Sequence, residues 1–291
     1  MFPDFSFRVV RVVPRVARLT RSSRITLLNK KTEKYPLSPH FKPAVRFSDI
    51  VGQIEAKQKC LVILKYLEDP QSFGTWAPHN ILLCGPPGTG KTMTAKALAC
   101  EAKVEILPVR ASDLLGSFVG DASGRIHKLF DEARYHAPSV IFIDELDVIA
   151  LQRNFQSIRG DVTEVVSALL SELDGVFENQ GVVTLAASNR FDMLDEAIKS
   201  RFEQIIEFKL PTLEEREDIL AINSTLSPIS IHANMRRIAT LTTNWSGRDL
   251  KEKLLRRAIH AAIINNEEEI TEETLTKIIE KQKTHPKQLY T

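Results

Sequence analysis

The sequence predicts an α/β fold, in which a parallel sheet carries helices on both faces and is followed by a small all-α domain. The first observation is the alternation of strand-like apolar runs with helix-like runs between residues 44 and 210, which is typical of parallel sheets. The second is the change after Pro211, where only helix-like segments follow. The third is a glycine-rich turn at residues 85–92, directly after the first apolar run, at the sheet edge where such folds bind ligands.

Each element of this fold is predicted from a local pattern. Apolar residues at helical spacing predict a helix over residues 55–67. Short apolar runs predict five strands, at residues 80–84, 106–109, 140–143, 182–187 and 205–208. Helical spacing then recurs at residues 213–224, 233–243, 247–264 and 271–281. We therefore expect a large domain over residues 44–210, a helical lid domain over 211–284 and a flexible tail over 285–291.

The amino-terminal residues differ in composition from the rest of the chain. Residues 1–31 contain eight Lys or Arg and one acid, a net charge of +7, and this leaves −5 for the remainder because the whole chain carries +2. We interpret residues 1–29 as a short basic segment with possible strands at 5–13 and 25–28, because Pro14 interrupts a helix. An arginine-rich transit peptide is the alternative. Three prolines make residues 30–43 a linker.

Overall composition predicts a soluble globular protein, with 43% apolar and 26% charged residues. The three cysteines, Cys60, Cys84 and Cys100, have no C-x-x-C spacing, which favours reduced thiols over disulfides or a zinc site. No apolar run approaches the roughly 20 residues that a membrane-spanning helix needs. We therefore expect a cytoplasmic protein, or an organellar one if residues 1–29 are a transit peptide.

The glycine-rich turn matches the phosphate-loop pattern G-x-x-x-x-G-K-[ST] and lies between an apolar strand and a helix, as that pattern requires. Glycines let backbone N–H groups approach phosphates, and the following helix adds its positive amino-terminal end. Lys91 is predicted to contact the β- and γ-phosphates of ATP and Thr92 to coordinate Mg²⁺. The predicted nucleotide-binding residues here are Gly85, Pro86, Pro87, Gly88, Thr89, Gly90, Lys91, Thr92 and Met93.

Two acids follow the apolar strand at residues 140–143. A carboxylate at this position can bind the metal ion, and a second can polarise the attacking water. We therefore predict that Asp144 binds Mg²⁺ and that Glu145 is the catalytic base. Together with the phosphate loop they predict a P-loop NTPase sheet and an ATPase.

With both motifs present, residues 45–284 resemble the AAA+ ATPases, specifically the AAA clade proper that includes proteasomal, valosin-containing-protein-like and membrane-protease ATPases. The resemblance implies that Asp49, Val51 and Gly52 lie in the segment that meets adenine. It also implies that Asn189 is the sensor-1 residue between the γ-phosphate and the catalytic water. Residues 9–28 resemble the last strands of the amino-terminal domain of valosin-containing-protein-like relatives, which implies that residues 1–29 contain possible strands of a truncated domain.

The same resemblance assigns residues that communicate between subunits. Arg201 matches an arginine finger that acts on a neighbour's γ-phosphate, which implies a homohexameric ring. Gly247 and Arg248 match the lid segment called sensor 2, where the glycine permits close approach to the nucleotide. Residues 173–175 match an intersubunit signalling motif, although Glu164, near the start of the preceding helix, stands where relatives often have arginine.

Two further matches concern what the motor acts on. Phe118, Val119 and Gly120 match the aromatic-hydrophobic-glycine pattern of the family's first pore loop, which grips an extended polypeptide. The final residues, Leu289, Tyr290 and Thr291, match the tail with which proteasomal ATPases dock into the proteasome core particle. The leading hypothesis is therefore an ATP-dependent ring that unfolds, translocates or remodels proteins, possibly feeding a separate protease.

Two alternatives remain open from the sequence. One is a nucleotide-gated assembly or scaffold factor that binds ATP without threading a protein. The less favoured one is a nucleic-acid-associated ATPase, for which only the basic residues 1–31 argue. Proteolysis by this chain itself is disfavoured because no H-E-x-x-H motif occurs.

Overall fold

The computed structural model describes residues 44–115, 121–150, 160–175 and 179–284. The predicted amino-terminal strands, the predicted linker and the carboxyl-terminal tail lie outside these residues. Among the described residues, no helix is long and apolar enough to span a membrane.

A five-stranded parallel sheet forms the centre of the large domain, and all five predicted strands are present. The spatial order is β2-β3-β4-β1-β5, and the strands are β1 (Asn80–Cys84), β2 (Glu105–Arg110), β3 (Ser139–Asp144), β4 (Val182–Ser188) and β5 (Gln204–Glu207). Every residue of β1 and β4 is buried, as expected for central strands covered on both faces. The two faces support two separate apolar cores.

Helices alternate with these strands along the chain. The predicted helix over residues 55–67 is confirmed as α1, and the helix predicted to follow the phosphate loop is confirmed as α2, which starts at Lys91. The helices of this domain are α1 (Ile54–Glu68), α2 (Lys91–Ala102), α3 (Ala111–Leu114), α4 (Asp121–Tyr135), α5 (Gly160–Asp174) and α6 (Glu196–Lys199).

The lid domain has its own apolar core, built around Leu220, Leu254 and Leu275. Its helices are α7 (Leu213–Thr225), α8 (Met235–Leu241), α9 (Gly247–Asp249), α10 (Arg256–Asn265) and α11 (Glu272–Thr284), with a π-helical segment (Leu250–Leu255) between α9 and α10. A capping box between Thr212 and Glu215 starts α7 at the domain boundary.

The prediction that strands stop after Pro211 was wrong. A two-stranded parallel sheet joins β6 (Ser230–His232) to β7 (Glu269–Thr271), with Ile231 opposite Ile270. Each strand has only three residues, too few for a period-two pattern to be distinguished from a loop. The pairing partner is also distant in sequence, so no local pattern indicates it.

Candidate nucleotide-hydrolysis site

The phosphate loop follows the carboxyl end of β1, and backbone conformation explains its glycines. Gly85 has a φ of +139°, and a Cβ at this position would lie 2.1 Å from the carbonyl oxygen of Phe208. Gly88 has a φ of +80°, and a Cβ there would lie 2.6 Å from Ser246 Oγ and 2.7 Å from Arg248 Cβ. Glycine avoids both the strained φ and the steric overlap. The loop therefore packs closely against the residue that follows β5 and against the lid.

Lys91, the first residue of α2, is held inside this loop. Its Nζ donates hydrogen bonds to the carbonyl oxygens of Gly85 (2.7 Å) and Pro86 (2.9 Å), and the residue is only 6% exposed. Burial lowers the pKa of Lys91 below its ordinary value, although the carboxylates of Asp144 and Asp147 oppose this shift. A buried ammonium group gains from an anionic ligand, so the loop suits a polyphosphate.

The two predicted metal ligands are brought together. Thr92 Oγ1, in the first turn of α2, donates a hydrogen bond to Asp144 Oδ2 at 3.0 Å. The other carboxylate oxygen, Oδ1, accepts from the backbone N–H of Glu145 at 2.9 Å. One carboxylate and one hydroxyl are hard oxygen donors, and Mg²⁺ is commonly held by few protein ligands together with substrate phosphates. These residues therefore fit Mg²⁺, which would neutralise phosphate charge when bound.

Glu145 projects from a sharp turn at the end of β3. Its backbone has a φ of +57° and a ψ of +42°, the left-handed region that residues other than glycine seldom adopt. Unlike Asp144, which is partly buried, Glu145 is exposed. The turn thus separates a carboxylate beside Thr92 from one that can contact water, as the two predicted roles require.

Asn189, the predicted sensor, follows the carboxyl end of β4. Asp147 Oδ1 accepts hydrogen bonds from the backbone N–H of Asn189 (3.0 Å) and from Ser188 Oγ (3.1 Å). Sequence reasoning missed Asp147, which lies three residues after Asp144 on a short 3₁₀ helix (Leu146–Val148). The one signal available in the sequence was the proximity of Asp147 to the acidic pair. Asp147 connects the ends of the neighbouring strands β3 and β4.

Arg201 lies elsewhere, just before β5, and forms an ion pair with Asp174 at the end of α5. The Nε–Oδ1 distance is 2.5 Å, and the two side chains are 39% and 52% exposed. The two preceding residues are engaged locally. Lys199 pairs with Glu196 at 2.8 Å, and Ser200 Oγ donates to the carbonyl oxygen of Ala197 at 2.9 Å. Arg201 and Asp174 therefore form an accessible surface pair.

The predicted adenine-facing segment lies beside the loop and the lid. Its Ile50 side chain lies near Gly90, with Cγ2 4.0 Å from the position of a Cβ on that glycine. Gly52, with a φ of +65°, packs so closely against the lid that a Cβ would lie 1.9 Å from Glu215 Oε1. Val51 is partly buried, whereas Asp49 is exposed and accepts a hydrogen bond from Arg46 N at 2.8 Å. Asp49 thus shapes this turn.

The predicted lid residues reach the phosphate loop. The backbone N–H of Arg248 donates to the carbonyl oxygen of Gly88 at 3.3 Å, and a Cβ on Gly247 would lie 3.6 Å from the same oxygen. The Arg248 charge is one of the influences that lower the Lys91 pKa. Ser246 starts the lid helix with a capping box to Asp249. The lid thus contacts the loop through main chain and small residues.

Two predicted sites lie outside the described residues. They are the pore-loop residues Phe118, Val119 and Gly120 and the tail residues Leu289, Tyr290 and Thr291.

Comparison with known proteins defines the class to which this fold and site belong. Residues 81–210 match the ATPase family associated with various cellular activities (AAA), and residues 213–284 match the PRS2 AAA+ lid C-terminal domain. Residues 47–111, which include the phosphate loop, also match the magnesium chelatase subunit ChlI family. The chain belongs to the AAA family and is an ATPase.

Within the AAA family, the chain is similar to proteasome regulatory subunit homologs and to FtsH proteases. The whole chain aligns at 47% identity with 78% of a 26S proteasome regulatory subunit homolog of Methanocaldococcus jannaschii. It aligns at 44% identity, with the same coverage, with a homolog of the same name from Methanothermobacter thermautotrophicus. The ATP-dependent zinc metalloprotease FtsH of Alkalihalophilus pseudofirmus is 37% identical over 76% of this chain and 34% of its own length.

Proposed function

We propose that this chain assembles into a homohexameric ring that hydrolyses Mg²⁺-ATP to unfold, translocate or remodel proteins. The position of Arg201 carries the proposal. The backbone N–H of Glu203 donates to the carbonyl oxygen of Asn80 at 3.0 Å, so Arg201 lies near the amino end of β1. The phosphate loop follows the carboxyl end of the same five-residue strand, about 16 Å away at 3.3 Å per residue.

This separation favours action on another subunit. An arginine at the amino-terminal ends of the strands does not face its own phosphate loop, but its partly exposed side chain can reach a neighbour's nucleotide. Such a contact joins unlike surfaces of two copies, and a head-to-tail contact of this kind closes into a ring when the rotation permits. The number six comes from the family resemblance.

Within each site, we assign the chemistry to residues of two subunits. Lys91 and the loop amides bind phosphate, while Thr92 and Asp144 hold Mg²⁺. Glu145 takes the proton of the attacking water, and Asn189 orients that water. Arg201 of the neighbour would stabilise charge that develops on the phosphoryl group, a contribution of roughly 10³ to 10⁵ in rate for arginine fingers.

The proposed substrates are proteins. Support comes from relatives whose names describe proteasome regulatory subunit homologs and from the sequence match of Phe118, Val119 and Gly120 to a pore loop. The test compares Phe118→Ala with the matched variant Phe118→Tyr in ATPase and unfolding assays on a fluorescent protein with an extended tag. We expect Phe118→Ala to hydrolyse ATP but to lose unfolding, and Phe118→Tyr to retain both.

Unfolding by Phe118→Ala at the wild-type rate would contradict the assignment of Phe118 as the gripping residue. A wild type that hydrolyses ATP but unfolds no substrate would instead favour the assembly-factor alternative, because such a factor needs nucleotide-dependent shape changes but no grip on an extended chain. Glu145→Gln provides a control for both hypotheses, since it is expected to bind ATP without hydrolysing it.

We further propose that Leu289, Tyr290 and Thr291 dock the ring onto a proteasome core particle in the cytoplasm. The three cysteines are unpaired, which is compatible with a reducing compartment. Deleting these three residues should abolish stimulation of core-particle peptide hydrolysis without changing the ATPase rate. Undiminished stimulation would contradict docking through the tail.

A further inference from the structure

Glu172 is a buried carboxylate at the end of α5 that has no part in the nucleotide site described above. It is 8% exposed, and two side chains of α4 contact its oxygens. His127 Nδ1 lies 2.5 Å from Oε1, and Arg134 Nη1 donates to Oε2 at 2.8 Å. A buried carboxylate with partners on both oxygens fixes the relative position of the two helices.

The same residue takes part in a network that immobilises the last turn of α5. Helix ends ordinarily leave their last carbonyl groups without intrahelical partners. Here the Glu172 carbonyl oxygen accepts from Asn179 Nδ2 at 2.8 Å, and the Leu173 carbonyl oxygen accepts from Asn80 Nδ2 at 3.0 Å. Arg134 also donates to Asn179 Oδ1 at 2.9 Å. Three buried or partly buried side chains thus hold this helix end.

This last turn contains Asp174, the ion-pair partner of Arg201. Asn80, which bonds to this turn, also binds the segment that contains Arg201, because its carbonyl oxygen accepts a hydrogen bond from Glu203 N. Asn80 therefore joins the two segments, with its side chain bound to the Asp174 side and its backbone bound to the Arg201 side. Buried and partly buried hydrogen bonds thus hold both segments that carry the Arg201–Asp174 pair.

We propose that Glu172 is a positioning residue for Arg201, acting through the last turn of α5 and Asp174. The inference rests on the proposed function, in which Arg201 completes a neighbour's site. A guanidinium on a long flexible side chain is an effective finger only when its direction is fixed beforehand. The hydrogen bonds at the last turn of α5 fix Asp174, and the bond between Glu203 N and the Asn80 carbonyl oxygen fixes the backbone next to Arg201. Together they fix the direction of the guanidinium.

A purely structural role for Glu172 makes a different prediction, which allows a test. If Glu172 only stabilises the large domain, its replacement should reduce the ATPase rate whether or not the finger is present. If Glu172 acts through Arg201, its replacement should have no further effect once the finger has been removed. A double-mutant cycle between the two positions distinguishes the alternatives.

The experiment measures ATP hydrolysis by the full chain with radiolabelled ATP for Glu172→Gln, Arg201→Ala and the double variant. Asp131→Asn is the matched control, because Asp131 is an exposed partner of Arg134 on α4. Loss of a hydrogen bond to a charged group predicts a fall in kcat of about tenfold for Glu172→Gln. KM for ATP should not change, and the double variant should match Arg201→Ala. The control should stay within about twofold of wild type.

An equal fall in kcat caused by Glu172→Gln in both backgrounds would overturn this inference alone. Wild-type activity of Arg201→Ala would overturn the inference together with the proposed trans finger. Should Glu172→Gln fail to fold by circular dichroism, the same cycle is run with His127→Ala. The His127 side chain is 51% exposed, so its removal is expected to leave the fold intact while freeing one oxygen of Glu172.

Discussion

Asp147 is predicted to control hydrolysis through its hydrogen bonds to the end of β4. Its Oδ1 accepts hydrogen bonds from Ser188 Oγ and from the backbone N–H of Asn189, so Asp147→Ala removes both. Ser188 is fully buried, and its hydroxyl would lose its charged acceptor. Asn189 is exposed, and water can replace its lost partner.

The magnitude follows from this difference in burial. A hydrogen bond to a charged group contributes about 1.5–3 kcal/mol, and only the bond from Ser188 is lost without replacement by water. We therefore expect Asp147→Ala to lower the free energy of unfolding by about 2 kcal/mol. If the same energy holds Asn189 in its catalytic position, kcat should fall about 30-fold, at 1.36 kcal/mol per tenfold. Asp147→Asn retains an acceptor oxygen, so its kcat should fall less than fivefold by the same argument.

The assay is steady-state ATPase activity alongside equilibrium denaturation for both variants and the wild type. Binding of a fluorescent ATP analogue separates an effect on nucleotide affinity from an effect on kcat. We expect the affinity to change less, because Asn189 is expected to act in hydrolysis more than in binding. A wild-type kcat for Asp147→Ala, with the stability loss observed, would refute the claim that Asp147 positions Asn189 for catalysis.

Three other predictions follow from backbone geometry and burial. Gly85→Ala should abolish ATP binding and lower Tm, because its Cβ would overlap a carbonyl oxygen at 2.1 Å. Gly74→Ala, with φ +53°, ψ −127° and nothing within 4 Å of its Cβ, should lose about 1–3 kcal/mol of stability through backbone strain but keep ATP binding, and loss of ATP binding in both variants would contradict the steric reasoning. Burial raises the pKa of Cys60 to about 12, so a thiol reagent should modify the partly exposed Cys100 first, and simultaneous labelling would be contrary evidence. The pKa of Lys91 is lowered, so its proton, which is needed for phosphate binding, is lost as pH rises through that value. ATP affinity should therefore fall at a lower pH than the one at which ordinary lysines titrate. An affinity that stays constant up to that pH would contradict this prediction.

Much of the fold was predictable because its signals are local. β1 and β4 are buried on both faces, and such strands appear in the sequence as continuous apolar runs. The phosphate loop was equally predictable, since φ values of +139° at Gly85 and +80° at Gly88 require glycine at fixed spacing. Thr92 and Asp144 were predicted separately, and the structure joins them by one hydrogen bond.

Other features could not be predicted because they depend on contacts between distant residues. Asp147 contacts Ser188, which is 41 residues away, and Asn80 contacts Leu173 across 93 residues. No periodicity or spacing in the sequence indicates such pairs. The acidic and amide side chains involved are also common in turns and on surfaces, so their burial becomes evident only when the strands are assembled.

The ion pair between Arg201 and Asp174 shows how sequence and structure complement each other. The motif match assigned Arg201 as a finger without indicating its surroundings. The structure adds that its own phosphate loop follows the opposite end of β1, and that Asp174 engages its guanidinium at the surface. Both observations favour a site that is divided between two copies of the chain.

Complementation between two inactive variants tests this claim most directly. Lys91→Ala removes the ammonium group from the phosphate loop but keeps Arg201, whereas Arg201→Ala keeps an intact loop but lacks the finger. Each variant alone should hydrolyse ATP at a small fraction of the wild-type rate. Differently tagged subunits of the two are mixed, and their assembly into common rings is verified by sequential affinity capture. We predict partial recovery of ATPase activity in the mixed rings, because some intact loops then face intact fingers. Mixed rings that contain both variants and remain as inactive as either parent would contradict action in trans.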